Sequence, residues 1–116
     1  MDQRTRYRTI IKGLLADLAS LLNEQHTSEC NTVQAQCVFD EERDQYLLLK
    51  VGWMGKRRIR GTTLYVRLYH GKFWIEDDMT EEGIATDLVQ AGVPKEDIVL
   101  AFQPPEVRRF TEFATA

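Results

Sequence analysis

The chain has only two cysteines and three prolines, no apolar run that approaches a membrane span, and no surplus of positive charge. Each shortage removes a class of protein. Two cysteines, Cys30 and Cys37, cannot supply the dense disulfide framework of a small secreted domain, and they are expected to stay reduced. A zinc site needs four well-spaced ligands; His26, Cys30 and Cys37 stand at irregular spacing with only His70 left over, so both cysteines read as structural. No stretch reaches the roughly 18 apolar residues that cross a bilayer, and the opening MDQRTRYR lacks the apolar core of a signal peptide. The expected address is the cytoplasm, without membrane contact. At a net charge of −3 the whole molecule lacks the broad positive field that draws a phosphate backbone, so DNA binding would need a local basic patch.

Catalytic signatures are scarce as well. Gly52-Trp53-Met54-Gly55-Lys56-Arg57 superficially resembles a phosphate-binding loop, but its glycines stand two residues too close. Arg57 also occupies the place of the Ser or Thr that holds magnesium. There is no GxSxG elbow, His26 lies in a polar connection, and His70 sits at a hairpin turn where a solvated side chain is the ordinary outcome. No cofactor and no enzymatic activity are expected.

What is present is a chain of 116 residues, 43% apolar and 28% charged, which fits one globular domain over residues 1–116. Tyr7, Ile10, Ile11, Leu14, Leu15, Leu18, Leu21 and Leu22 recur at three and four, the stripe of an amphipathic helix. The polar stretch NEQHTSECN follows as a surface connection. Val33, Ala35, Cys37 and Phe39 then alternate with polar neighbours as a strand, DEERD turns the chain, and Leu47, Leu49, Val51 and Trp53 carry the same period of two. After Gly55-Lys56 a third strand runs to Tyr69, with Leu64, Val66 and Leu68 on one face and Tyr65, Arg67 and Tyr69 on the other; Gly61 marks a bulge near its start. His70-Gly71-Lys72 leads into FWIED as a fourth strand. A helix follows, with Thr80 at its N-cap and Gly92 just past its end, then a last strand from Ile98 to Phe102. Pro104-Pro105 halts that strand before a short terminal helix that packs Val107, Phe110 and Phe113. The fold class is α+β: two layers, a mainly antiparallel sheet of about five strands covered by a long N-terminal helix and a second helix.

Between the fourth strand and the second helix, Glu76, Asp77, Asp78, Glu81 and Glu82 crowd into seven positions. A metal-dependent nuclease needs carboxylates that converge on one point, and these are followed by a helix instead. Thr80 as the helix N-cap, with Glu81 and Glu82 in the first turn against the positive end of the macrodipole, accounts for two of them by helix physics alone. Glu76 and Asp78 are expected to share one strand face, with Asp77 on the other.

Two patches can carry interaction. Lys56, Arg57, Arg58 and Arg60 concentrate at a hairpin, where they serve either as an edge-protecting charge cluster or as phosphate contacts, with Arg4, Arg6, Arg8, Arg108 and Arg109 available to add to them. The face of Tyr65, Arg67 and Tyr69, with Trp74 and Trp53 nearby, suits stacking on single-stranded bases or a protein interface. The acidic total favours the interface.

The runs FDEERDQYLLLKVGW, KRRIRGTTLYVRLYHGKFWIEDD and TEEGIATDLVQAGVPKEDIVLAFQPPEVRRFTEFATA resemble the XisI family, the excision-controlling factors of cyanobacteria, over nearly the full chain. Its most specific parts are Asp40, Arg43 and Asp44 leading to Val51-Gly52-Trp53, the segment Asp78 to Ala85, the run Val93 to Val99, and the ending from Arg109. The family commonly has Gly where Met79 stands and Tyr near Phe110. The resemblance implies a small cytoplasmic α+β accessory protein that works with a site-specific recombinase and a companion, XisH, in excising a DNA element during heterocyst differentiation. It assigns no catalytic residue. Together with the missing catalytic signatures and the aromatic face, it leads to the expectation of a non-enzymatic factor that acts through protein contacts, as a homodimer; the alternative is a direct DNA-binding regulator that uses the basic hairpin.

Overall fold

The computed structural model describes residues 2–24 and 29–116; His26, expected in the polar connection, lies outside the described residues. Helix α1 spans Gln3–Glu24. It opens where the Asp2 carboxylate accepts the Thr5 backbone N–H at 2.7 Å, satisfying one of the free donors of the first turn. Tyr7, Ile11, Leu15 and Ala19 form its buried line at four-residue spacing, flanked by partly buried Ile10, Leu14, Leu18 and Leu22. Leu21, expected on the same stripe, is 53% exposed, because two steps past Ala19 carry it about 200° around the helix.

The sheet runs β1 (Gln34–Asp40), β2 (Gln45–Met54), β3 (Arg57–Tyr69), β4 (Lys72–Asp78) and β5 (Ile98–Leu100), in that spatial order. The first four form an antiparallel meander, and β5 lies parallel to β4. Helix α2 (Ile84–Gln90) makes the crossover that a parallel pair requires. The β3–β4 turn places both His70 and Gly71 at positive φ, 52° and 76°, the two-residue turn whose twist matches the strands it joins. At Gly52 the constraint is space: a Cβ there would stand 2.5 Å from the Thr32 carbonyl oxygen.

Helices α1 and α2 both pack on one face of this sheet. The core combines their apolar lines with Tyr46 and Leu48 of β2, Leu64 and Val66 of β3, Phe73 and Ile75 of β4, and Ile98 of β5, all with no solvent exposure. The period of two in β2 is therefore as expected, but the stripe Leu47, Leu49, Val51 and Trp53 faces away from the helices. Cross-strand pairing of Cys37 with Leu48 and Phe39 with Tyr46 sets the opposite register of faces. Leu64, Val66 and Leu68 do line the core side of β3, with Tyr65, Arg67 and Tyr69 opposite. The bulge near the start of β3 falls at Thr63, where Thr62 pairs with Leu49 and Leu64 with Leu48. The expected last strand stops at Leu100: Phe102 still donates its N–H to the Ile75 carbonyl but is 47% exposed. Beyond it, α3 (Pro105–Arg108) is a single turn; Val107 and Phe110 are exposed, and only Phe113 packs on the core as expected. Among the described residues no helix is long and apolar enough to cross a membrane.

Leu48 and Leu49 are adjacent leucines on opposite faces, which makes the packing testable. Leu48→Ala should cost about 2–5 kcal/mol and Leu49→Ala no more than about 1 kcal/mol, measured by urea unfolding. Equal losses would contradict the one-sided core.

Candidate functional site

The acidic junction resolves into separate tasks. A register shift between Tyr65 and Val66 leaves Glu76 without a cross-strand partner, since Val66 pairs with Ile75 and Tyr65 with Asp77. The extra residue puts Glu76 and Asp78 on different faces, contrary to the simple alternation. Glu76 forms an ion pair with Arg67 at 3.0 Å, while Asp78 lies opposite Leu64. The Asp78 carboxylate accepts the Thr80 N–H at 2.9 Å and the Ile84 N–H at 2.7 Å, and so fastens the start of α2. Asp78 thus takes the role expected of Thr80. The helix begins later than the acids suggested, at Ile84 after Gly83 at φ 85°, so Glu81 and Glu82 lie in the preceding turn and not in its first turn. Among the described residues no three of His, Cys, Asp and Glu come together as a metal site.

The face of the sheet away from α1 and α2 brings the four expected interface residues together. Arg67 and Trp74 are cross-strand partners, as are Tyr65 and Leu47. The Arg67 guanidinium lies 5.0 Å from the Tyr69 ring centroid while bound to Glu76, and the Trp74 ring meets Tyr69 edge-on at 5.6 Å. Trp74 donates its indole N–H to the Tyr69 carbonyl at 3.1 Å, and Tyr65 donates its hydroxyl to Gln45 at 3.1 Å. At the β5 edge the C-terminal segment folds over this face: Arg108 sits above the Trp74 ring, and Val99 is fully buried beside a bridge to Ala114. Toward β1 the face stays open, with Leu47, Leu49 and Val51 half-buried and Val38 and Trp53 at 45% and 48% exposure. Side chains already paired and stacked lose little freedom on docking, which suits a recognition surface.

Lys56, Arg57, Arg58 and Arg60 are all exposed on the β2–β3 hairpin, and among the described residues none of them is in an ion pair. The other arginines expected to extend this patch are occupied elsewhere. Arg108 donates to the Gln103 and Ala101 carbonyls, Arg109 stacks on Phe110, and Arg6 reaches the Gly92 carbonyl. Cys30 is exposed, whereas Cys37 is partly buried against the core and burial pushes its thiol pKa up.

Arg4 and Arg8 have a different task, one that reading the sequence missed. Both converge on Asp44, the only charged residue fully inside the described structure. Arg4 Nη2 stands 2.8 Å from Asp44 Oδ2, Arg8 Nε 2.7 Å from Oδ1, and the Tyr46 hydroxyl donates to Oδ1 at 2.9 Å. Asp44 adopts φ 52°, and its carbonyl accepts the Leu68 N–H, so one residue ties α1, the β1–β2 turn and β3. Burial pushes the Asp44 carboxyl upward, but Arg8, Arg4 and Tyr46 outweigh it and hold the pKa below its ordinary value. Burial first, and then the Asp44 charge, push the Tyr46 phenol up, so it remains a donor.

The profile of the XisI protein family matches residues 1–115. The chain belongs to the XisI family. Among solved structures, the fdxN element excision controlling factor XisI from Anabaena variabilis ATCC 29413 is 40% identical. The alignment covers 99% of this chain and 100% of that one, with a TM-score of 0.81. A XisI-like protein from the same organism is 34% identical over 97% of this chain and 99% of that one, with a TM-score of 0.85. No curated protein matches the chain.

Asp40, Arg43 and Asp44, part of the XisI resemblance, divide their work within one turn. Asp40 accepts the Arg43 N–H and pairs with its guanidinium at the surface, while Asp44 turns inward. The available signal was Arg4 and Arg8, one helical turn apart and facing a turn rich in acids. A depressed folded-state pKa stabilises the fold above the ordinary value of 3.8, and that contribution fades as pH falls through it toward the lower folded value. Asp44→Asn should therefore cost on the order of 3 kcal/mol at neutral pH, and the gap to wild type should narrow below about pH 4 in urea unfolding. A gap independent of pH would contradict this role.

Proposed function

We propose that this chain is a non-enzymatic accessory factor that takes part in controlling the excision of a DNA element and acts through protein contacts on the open sheet face. Family membership supports the process, since a relative of 40% identity is an fdxN element excision controlling factor. The observation that carries the mode of action is the face itself. A half-exposed band of Leu47, Leu49, Val51 and Tyr65 runs into the stacked group of Arg67, Tyr69 and Trp74, and neither α1 nor α2 covers it. Aromatic and arginine side chains around an apolar centre are the composition of a protein interface. Stacking on single-stranded bases fits less well, because Arg67 is already held by Glu76 and the middle of the face is aliphatic. The partners in this reading are an XisH-like protein and the site-specific recombinase, met in the cytoplasm by a homodimer of the chain.

Capture of a purified XisH-like companion tests the reading. Wild type should retain it, and Leu47→Asp with Leu49→Asp should weaken retention at least about tenfold while circular dichroism stays unchanged, because charges placed in an apolar contact are left unpaired. Absence of association in either order of mixing, or undiminished capture by the double variant, would count against it. Light scattering should give twice the 13.5 kDa chain mass for the homodimer.

A further inference from the structure

The charge of the molecule is divided very unevenly. From Gln45 to Ile75 the charged residues are Lys50, Lys56, Arg57, Arg58, Arg60, Arg67 and Lys72, with no Asp or Glu; all eighteen acids lie elsewhere, against the remaining eight cations. Four of these cations crowd the end of the β2–β3 hairpin, where β3 forms a free edge. On the β2 side the residues before β1 follow the hairpin to its end, with Thr32 donating its N–H to the Trp53 carbonyl at 2.9 Å and Asn31 bridging Met54, whereas pairing of β3 with β4 ends at Leu64. Between the Leu49–Thr62 and Met54–Arg57 rungs, β3 has no strand on its outer side. That section is roughly 20 Å long at about 3.3 Å per residue.

Register places cations on both surfaces of this hairpin. Arg58 pairs with Trp53 and Arg60 with Val51, on the open-face side; the Arg58 guanidinium lies 5.3 Å from the Trp53 ring centroid. Arg57 lies on the other side, where it lines a cleft with Met54, Ile59 and Lys50. Lys56 stands at the tip. A flat acidic protein surface would meet the cations on one side of this edge and leave those on the other in water. A DNA groove has phosphates along both walls, and the major groove, about 12 Å wide, can receive a strand edge with cations on both sides.

We propose that the free β3 edge of this hairpin seats in a groove of duplex DNA, with Lys56, Arg57, Arg58 and Arg60 on backbone phosphates. The contact is independent of sequence and adjoins the protein-docking band on the open sheet face, which reaches Val51, the cross-strand partner of Arg60. It would localise an otherwise acidic protein on the DNA whose excision it helps to control.

Fluorescence anisotropy of a labelled duplex, titrated with the full chain from about 50 to 200 mM salt, tests the proposal. Four phosphate contacts predict a slope of log K against log salt of about −4. Arg58→Gln with Arg60→Gln should bring it to about −2 and weaken binding roughly tenfold or more at the lowest salt. Lys56→Gln alone should remove about one unit of slope. Lys12→Gln with Lys95→Gln removes the same charge from cations paired with Glu41 and Glu112, and should leave the slope unchanged. No binding at the lowest salt, an equal change in that control pair, or tighter binding to polyglutamate than to the duplex would each overturn it.

Discussion

The structure depends on burial from one side only. Strand side chains alternate, so a sheet that receives α1 and α2 on the same face dries one set of residues and leaves the other to be covered by something else. Tyr46, Leu48, Leu64, Val66, Phe73 and Ile75 belong to the dry set. Leu47, Leu49, Val51, Tyr65, Arg67 and Trp74 belong to the other, and the C-terminal segment shields only the β5 end of it. The crossover from β4 through α2 to β5 reinforces this asymmetry, because it adds a strand to the sheet while keeping its helix on the α1 side.

Asp44 keeps the layers in register. A buried carboxylate is costly unless its oxygens are fully engaged, and here two guanidinium groups and a phenol engage them. The arrangement specifies where α1 sits along the sheet more than it adds net stability, since the charges also lost water to reach it. On the neighbouring part of α1, Tyr7 extends the same logic by donating its hydroxyl to Asp97 at 2.6 Å, next to the start of β5. Polar groups at two points of α1 thus fix what its apolar stripe alone would allow to slide.

Much of this was legible in the residues. The four-residue spacing of α1 and the short polar breaks between alternating segments disclose a helix and a meander, because periodicity is imposed by geometry that sequence must satisfy. The face of β2 was not legible: Tyr46 to Leu49 is continuously apolar, so alternation runs equally well on either set, and only pairing with β1 and contact with α1 decide it. The start of α2 was obscured because two candidate caps, Asp78 and Thr80, precede it, and a bulge at Glu76 re-aims the strand end in a way no pattern announces. The grouping of Tyr65, Arg67, Tyr69 and Trp74 follows from alternation and a tight turn, whereas the assignment of Arg4 and Arg8 to Asp44 depends on tertiary approach. The two patches were therefore visible as composition, and their arrangement as an aromatic face and a basic hairpin with one free edge came from topology.

The two tryptophans provide the most direct test of the central claim, that the open face is where a protein partner docks. Trp53 and Trp74 both lie on that face, so the intrinsic emission of the chain reports on it and not on the core. Excited at the indole band and titrated with a tryptophan-free XisH-like companion, the emission should shift to shorter wavelength as the face loses water, in step with complex formation measured by mass. A complex that forms fully while the emission maximum stays fixed would contradict the account.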